Sequence, residues 1–311
     1  MELEISAGAA IEAELRTLHA DARQRAVTEH ILALADQAGY GAALIDSVAR
    51  GETEDSVITW PQFAHMVRAA ARGLSRRGLQ EGDTAGIFVE DAVSHAVAVH
   101  AVRAAGATAA PVRLSAVDPG AQLKARRARL LITSAGLAGL AIEAAERSLV
   151  RQVFSFGEAE GTTEFGSLLL TPRHGELDAQ DGDGGGPAPE QLFDLVRPDE
   201  PVPQLIRRPV PRLTCRDVVV AAPPCGDPEA YTSLLDLALT VGATIVAAPL
   251  AQVTDAIGVY QGTAAIVPRG TDVPGLPSGR VLAVGLPVCW PVCWPWASVR
   301  LKQRCAQLPR A

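Results

Sequence analysis

Apolar positions along the chain follow two alternating periods. Over residues 11–35, Ile11, Leu15, Leu18 and Ala22 recur at i, i+4, i+7 and i+11, with Val27, Ile31 and Leu34 as a second stripe. That spacing predicts an N-terminal helix whose Ile11/Leu15/Leu18 stripe packs on the domain behind it. After glycine the pattern switches to a short apolar run, GYGAALID (39–46), which predicts a strand. Phe63, Met66, Val67, Ala70 and Leu74 return to helical spacing behind Thr59-Trp60-Pro61. Threonine as N-cap with proline in the first turn is a helix-start signal. The turn GLQEGD (78–83) leads into TAGIFVE, a strand, and a helix follows over 92–105. Extended ATAAPV, a helix over 118–127, and the strands ARLLIT (128–133) and RQVFSF (151–156) continue the alternation.

Between Asp178 and Arg212 the chain is rich in Gly, Pro and charge, which predicts a linker or surface loop. Beyond it the alternation resumes with DVVVAAP (217–223), a helix over 229–240, ATIVAAP (243–249), GTAAIVP (262–268) and RVLAVG (280–285). Strands alternating with helices predict an α/β fold, three-layer, with largely parallel sheets in two subdomains. The expected organisation is a helical extension (1–36), a first subdomain (37–172), a linker (173–212), a second subdomain (213–286) and a Trp/Pro/Cys-rich tail (287–311).

Composition removes several classes of function. With 28 Lys and Arg against 35 Asp and Glu, the net charge of −7 disfavours nucleic-acid binding and anionic membranes. No uncharged apolar run reaches the roughly 18 residues of a membrane span, and the acidic N-terminus MELEISAGAA lacks the basic start of a signal peptide. Five cysteines, all at or after Cys215, fit a reducing cytoplasm better than a disulfide framework. Only two of the 28 basic residues are lysines, Lys124 and Lys302, so chemistry that needs an ammonium group has two candidates.

Candidate chemistry is sparse. GDGGGP (182–187) follows no strand and opens no helix, so it reads as a flexible linker rather than a phosphate cradle. Cys289, Cys293 and Cys305 have no histidine after His174 to complete a zinc site, and no metal is expected. His95 and His100, five apart in one apolar helix, face different directions on a helical projection and read as satisfied core or rim histidines. Trp290, Trp294 and Trp296 read first as packing or interface residues and second as a ligand platform.

Several segments, taken in order, resemble the N-terminal region of adenylate-forming enzymes, the acyl-CoA and aryl-CoA ligases of the 4-coumarate:CoA ligase type. They are the Trp60–Leu74 helix, the turn Gly78-Leu79-Gln80-Glu81-Gly82-Asp83, and Arg103-Ala104-Ala105-Gly106-Ala107 running on to Pro111-Val112. LTCRD (213–217) and LALTVGATIVAAP (237–249) continue the match, which spans most of 37–286. The resemblance implies a truncated N-terminal domain of that family, with the acyl-side segment at PPCGDPEAYTS (223–233). Cys225, Asp227 and Tyr231 are its candidate pocket-edge residues; their plainer reading is a loop after a strand.

Departures from the family pattern set the functional expectation. Where the family has a Ser/Thr/Gly-rich loop ending in Pro-Lys-Gly, this chain has PVPQLIRRPVPRLTCRD, without serine, glycine or lysine. Proline lacks the N–H that such a loop aims at phosphate. The family histidine is missing from 223–233, and the resemblance stops before the adenine- and ribose-binding segments and the C-terminal domain with its lysine. Losing one such contact costs about 10²–10³ in rate. The expectation is therefore a protein that does not adenylate, uses no cofactor, and acts in the cytoplasm as an accessory partner in an acyl- or aryl-acid pathway. It would form a homodimer or a heteromer with a complete ligase or another pathway protein, with Trp290, Trp294 and Trp296 at the contact. The alternative is altered chemistry on an acyl, acyl-adenylate or acyl-CoA ligand without ATP.

Overall fold

The computed structural model describes residues 22–47, 56–170, 213–224 and 226–284. Helix α1 runs over 22–35, so the part of the predicted N-terminal helix holding Ile11, Leu15 and Leu18 lies outside the described residues. Then come β1 (Ala42–Asp46), β2 (Ser56–Thr59), α2 (Trp60–Arg76), β3 (Thr84–Phe88), α3 (Ala92–Ala104) and β4 (Thr108–Pro111). They are followed by α4 (Pro119–Ala125), β5 (Leu130–Ser134), α5 (Ala138–Glu146), β6 (Gln152–Phe156) and β7 (Thr163–Glu164), with a 3-10 turn over Phe165–Leu169. The last set is β8 (Val218–Ala221), α6 (Pro228–Thr240), β9 (Thr244–Ala247), α7 (Val253–Tyr260), β10 (Ala264–Pro268) and β11 (Val281–Val284). The expected 173–212 linker and 287–311 tail lie outside the described residues.

Two sheets result, in the order β11-β10-β8-β9-β1-β2 and β4-β3-β5-β6-β7. The second is wholly parallel, and in the first only β1–β2 pair antiparallel. The strand buried on both faces, such as β5 (LLITS), reads as a continuous apolar run because helices cover each side. Sheet membership cuts across the expected boundary at 173–212. Strands β1 and β2, early in the chain, complete the sheet built by residues after 213, with Leu44 beside Ile245 and Ile45 beside Val246.

Each sheet is the middle of a three-layer unit, and the two units share one helical layer. Helix α3 touches β3 and β4 of one sheet and β1 and β9 of the other, while α6 touches β9, β11 and β4. Ten of the thirteen α3 residues are buried, which explains its apolar composition all round. On the outer faces, Leu123 of α4 and Ala141 and Ala144 of α5 cover Phe88 and Leu131. Val253 and Ala256 of α7 cover Val220, Val246 and Val267.

Helix α2 starts as its sequence predicts. Thr59 and Gln62 form a reciprocal capping box, with Pro61 in the first turn. Its face of Trp60, Phe63, Val67, Ala70 and Leu74 is buried. The packing is close enough that a Cβ on Gly73 would stand 2.4 Å from the Leu168 carbonyl oxygen. Gly73→Ala should therefore lower the urea midpoint, at a cost of about 1–3 kcal/mol, although alanine is the better helix former. An unchanged midpoint would show that the Phe165–Leu169 turn yields freely.

Candidate functional site

Ligands of open α/β sheets bind outside the carboxyl ends of the strands, where successive connections leave on opposite faces. In the six-stranded sheet, β8 leads to α6 in the shared layer and β9 leads to α7 on the outer face, so this crevice lies beyond Ala221 and Ala247. The family-like segments 213–217 and 223–233 sit at the two ends of β8.

The first of these, LTCRD, closes the amino end of the sheet. The Asp217 carboxylate accepts from the Thr214 N–H (2.6 Å) and hydroxyl (2.9 Å), from the Thr263 hydroxyl (2.7 Å) and from the Arg280 guanidinium (3.0 Å). Burial alone would raise this carboxyl, but the Thr263 and Thr214 hydrogen bonds and Arg280 outweigh it and hold it below the ordinary value. The motif is a structural clamp on the entry to β8.

At the carboxyl end, Gly226 takes a left-handed φ of +70° and turns the chain into α6. Asp227 is the N-cap, its Oδ1 accepting from the N–H groups of Glu229 (3.0 Å) and Ala230 (3.4 Å). Tyr231, one turn in, is wholly buried, and its hydroxyl donates to the Ala222 carbonyl at 2.8 Å. Its ring meets His95 edge-on, with 5.3 Å between centroids. The structure thus brings Asp227 and Tyr231 together at the start of α6, each engaged by the fold itself. Cys225, Trp290, Trp294 and Trp296 lie outside the described residues.

Among the described residues, a set of titratable side chains lies between α3 and α6. His95 Nε2 stands 2.7 Å from the Thr232 hydroxyl, which itself donates to the Pro228 carbonyl. Since that proton is already engaged, His95 is the donor, and Nε2 carries the hydrogen. His100 Nδ1 lies 2.9 Å from the Thr28 hydroxyl of α1, and Nε2 faces Asp236 at 3.4 Å. An ionised Asp236 can only accept, so the neutral His100 carries its hydrogen on Nε2 and accepts from Thr28. Arg103 completes the seam, its Nη1 reaching both Asp236 oxygens at 3.1 and 2.8 Å, with each side chain only 5% exposed. Arg103 Nε is buried with no hydrogen-bond partner.

Burial pushes both imidazoles down, His95 to about 3 and His100 to about 4, against the partial support of Asp236. Both are neutral near pH 7. The sequence reading of these histidines as core residues that face different directions holds: His95 meets Tyr231 and Thr232 of α6, whereas His100 meets Thr28 of α1 and the Phe63 ring of α2, with Asp236 of α6 at 3.4 Å. The Arg103–Asp236 pair was missed. Its signal is one charge inside an apolar run in each helix, AVSHAVAVHAVRA and SLLDLALT.

Surface grooves occur among the described residues. One of about 300 Å³ is lined by Ala35, Asp36, Pro61, His65, Arg68 and Arg72. Another, of about 310 Å³, lies beyond β4 among Pro111, Val112, Arg113, Gln122, Leu123 and Arg126. Neither is lined by Asp227 or Tyr231. Among the described residues no group of three or more His, Cys, Asp or Glu is placed to hold a metal ion, and no helix is long and apolar enough to cross a membrane.

A family model described as AMP-binding enzyme matches residues 35–204. No curated protein matches the chain. Among solved structures, a long-chain-fatty-acid–CoA ligase from Archaeoglobus fulgidus is 18% identical with a TM-score of 0.57, over 77% of this chain and 50% of that one. A benzoate–CoA ligase from Burkholderia xenovorans is also 18% identical, with a TM-score of 0.56, over 77% and 49%. The N-terminal domain of a protein named FACL13 from Mycobacterium tuberculosis is 14% identical, with a TM-score of 0.55, over 78% and 62%. At such identities the likeness is one of fold. The chain spans about half the length of the full-length ligases it matches.

Proposed function

Since this chain belongs to the AMP-binding enzyme family, we propose that it keeps the family scaffold without the phosphate chemistry. On this reading it acts as a non-catalytic partner in an acyl- or aryl-acid pathway, in the cytoplasm. One observation carries the reading. The residues that precede LTCRD, PVPQLIRRPVPR, hold four prolines and no serine, glycine or lysine. A loop that cradles phosphate needs backbone N–H groups aimed inward and an ammonium or guanidinium at the terminal phosphate. Each proline removes one such donor and fixes φ. Two arginines, Arg207 and Arg208, bring charge but not the small residues that let a backbone close on phosphate. Support comes from the start of α6, where Asp227 and Tyr231 are engaged by the fold.

The partner is a second copy or a complete ligase of the same pathway, held in part through residues 287–311. Light scattering on the full chain and on residues 1–286 tests that contact: deletion should weaken association, and unchanged association would rule the tail out. ATP–pyrophosphate exchange over a panel of aryl and fatty acids tests the catalytic half and should stay at background. Exchange above background for any acid, lost on Lys302→Ala, would overturn it.

A further inference from the structure

The outward face of α2 carries a line of three arginines and a histidine. Pro61, His65, Arg68, Arg72 and Arg76 follow one another at steps of four, three, four and four residues, so they form a single stripe. The helix carries no carboxylate of its own, although the protein has a net charge of −7. One outside acid reaches it: Asp36 of α1 holds the Arg68 guanidinium in a two-point contact at 2.8 and 2.7 Å. Arg76 turns to the Leu168 and Leu170 carbonyls. His65 and Arg72 are exposed and have no ion pair or hydrogen bond among the described residues. The roughly 300 Å³ groove between α1 and α2 runs along this stripe. The groove thus holds two guanidinium groups, of which the central one, Arg68, is already fixed in position by Asp36.

We infer that this stripe is a docking surface for an acidic protein segment. From His65 to Arg76 the stripe extends about 16 Å at 1.5 Å per residue, too long for one small anion and suited to three turns of helix. A second copy of this chain does not fit across a two-fold axis, because the stripe would meet itself and place like charges together. A nucleic acid or an anionic membrane calls for a broad basic field, and here the basic face is one helix wide on an acidic protein. An acidic helix with glutamates at i, i+4 spacing would pair with Arg72, accept a hydrogen bond from His65 and lay apolar surface on Pro61. Arginine is among the residues that most often dominate such contacts. The inference adds a docking face to the accessory role proposed above, but it does not require that the chain be inactive.

The test is fluorescence anisotropy of a labelled 15-residue helical peptide bearing glutamates at i, i+4 spacing, titrated with the full chain at low salt. Saturable binding is expected, at least tenfold weaker for the His65→Glu/Arg72→Glu variant and likewise weakened by raised salt. Both positions are exposed, so circular dichroism should be unchanged; His65→Ala/Arg72→Ala gives a milder second variant. No saturable binding, or equal affinity for both variants, overturns the inference. Tighter attachment to phosphatidylserine vesicles through the same two residues overturns it in favour of a membrane. Peptide binding together with pyrophosphate exchange would remove the non-catalytic reading and leave the docking face standing.

Discussion

Asp236→Ala is expected to destabilise the fold by about 3–5 kcal/mol, because it leaves the Arg103 guanidinium buried without its counter-charge. Arg103 and Asp236 are each 5% exposed, and water does not replace the lost partner. Asp236 also faces His100 Nε2 at 3.4 Å, so its removal takes the acceptor away from both Arg103 and His100. Single-domain stabilities are about 5–15 kcal/mol, and the loss is a large share of that. The contrast lies in the double variant Arg103→Met/Asp236→Leu, which replaces the pair with apolar volume. Exchanges of this kind are often neutral or stabilising. Urea denaturation should therefore place the double variant well above Asp236→Ala, with a strong coupling energy in the double-mutant cycle. Equal losses for the single and double variants would mean that the pair contributes shape rather than charge compensation.

Acid should weaken the same seam. His95 and His100 titrate near 6.5 when unfolded and at about 3 and about 4 when folded. Between those values the unfolded chain binds more protons than the native one, so stability rises with pH through this window. The contribution is complete above the unfolded value and is lost as pH falls from about 6.5 towards 4. At pH 5 each imidazole weakens the fold on the order of 2 kcal/mol relative to pH 8. Asp217, whose carboxyl is lowered, acts in the same direction but at lower pH. Asp91 acts oppositely: burial raises its carboxyl, against hydrogen bonds from Ser94, so its contribution fades as pH rises through the folded value. Thermal melts from pH 8 to 5 should show a steep fall that is reduced in His95→Gln and His100→Gln. A flat profile in wild type would mean that the two rings reach water.

Much of the fold was legible because its signals are local. The Thr59 cap, the helical spacing of 92–105, and the apolar runs of β3, β5, β8 and β10 depend only on neighbours in sequence. Strand β2 was not foreseen: Ser56–Thr59 is too short to show alternation, and its place depends on pairing with β1. The crossing of β1 into the second sheet, with Leu44 beside Ile245, joins positions about two hundred residues apart and leaves no mark in either segment. Asp227 and Tyr231 read from the sequence as pocket-edge residues or as a loop after a strand, whereas the structure has them at the N-cap and in the first turn of α6. What they do there is decided by atoms distant in sequence or hidden in the backbone, such as the Ala222 carbonyl and the His95 ring. For Arg103 and Asp236 a sign existed, a charge isolated in an apolar helix, but only the packing of α3 on α6 shows that the two charges meet.

The most direct measurement is a thermal melt of the full chain with and without magnesium–ATP. A ligand at one hundred times its dissociation constant stabilises the fold by about 2.7 kcal/mol, which a chain of this size shows as several degrees. On the proposed reading, a segment of prolines without glycine, serine or lysine does not hold the triphosphate, and the melting temperature should not move at millimolar ATP. A saturable rise with ATP, absent with an equal concentration of sodium sulfate, would contradict the account.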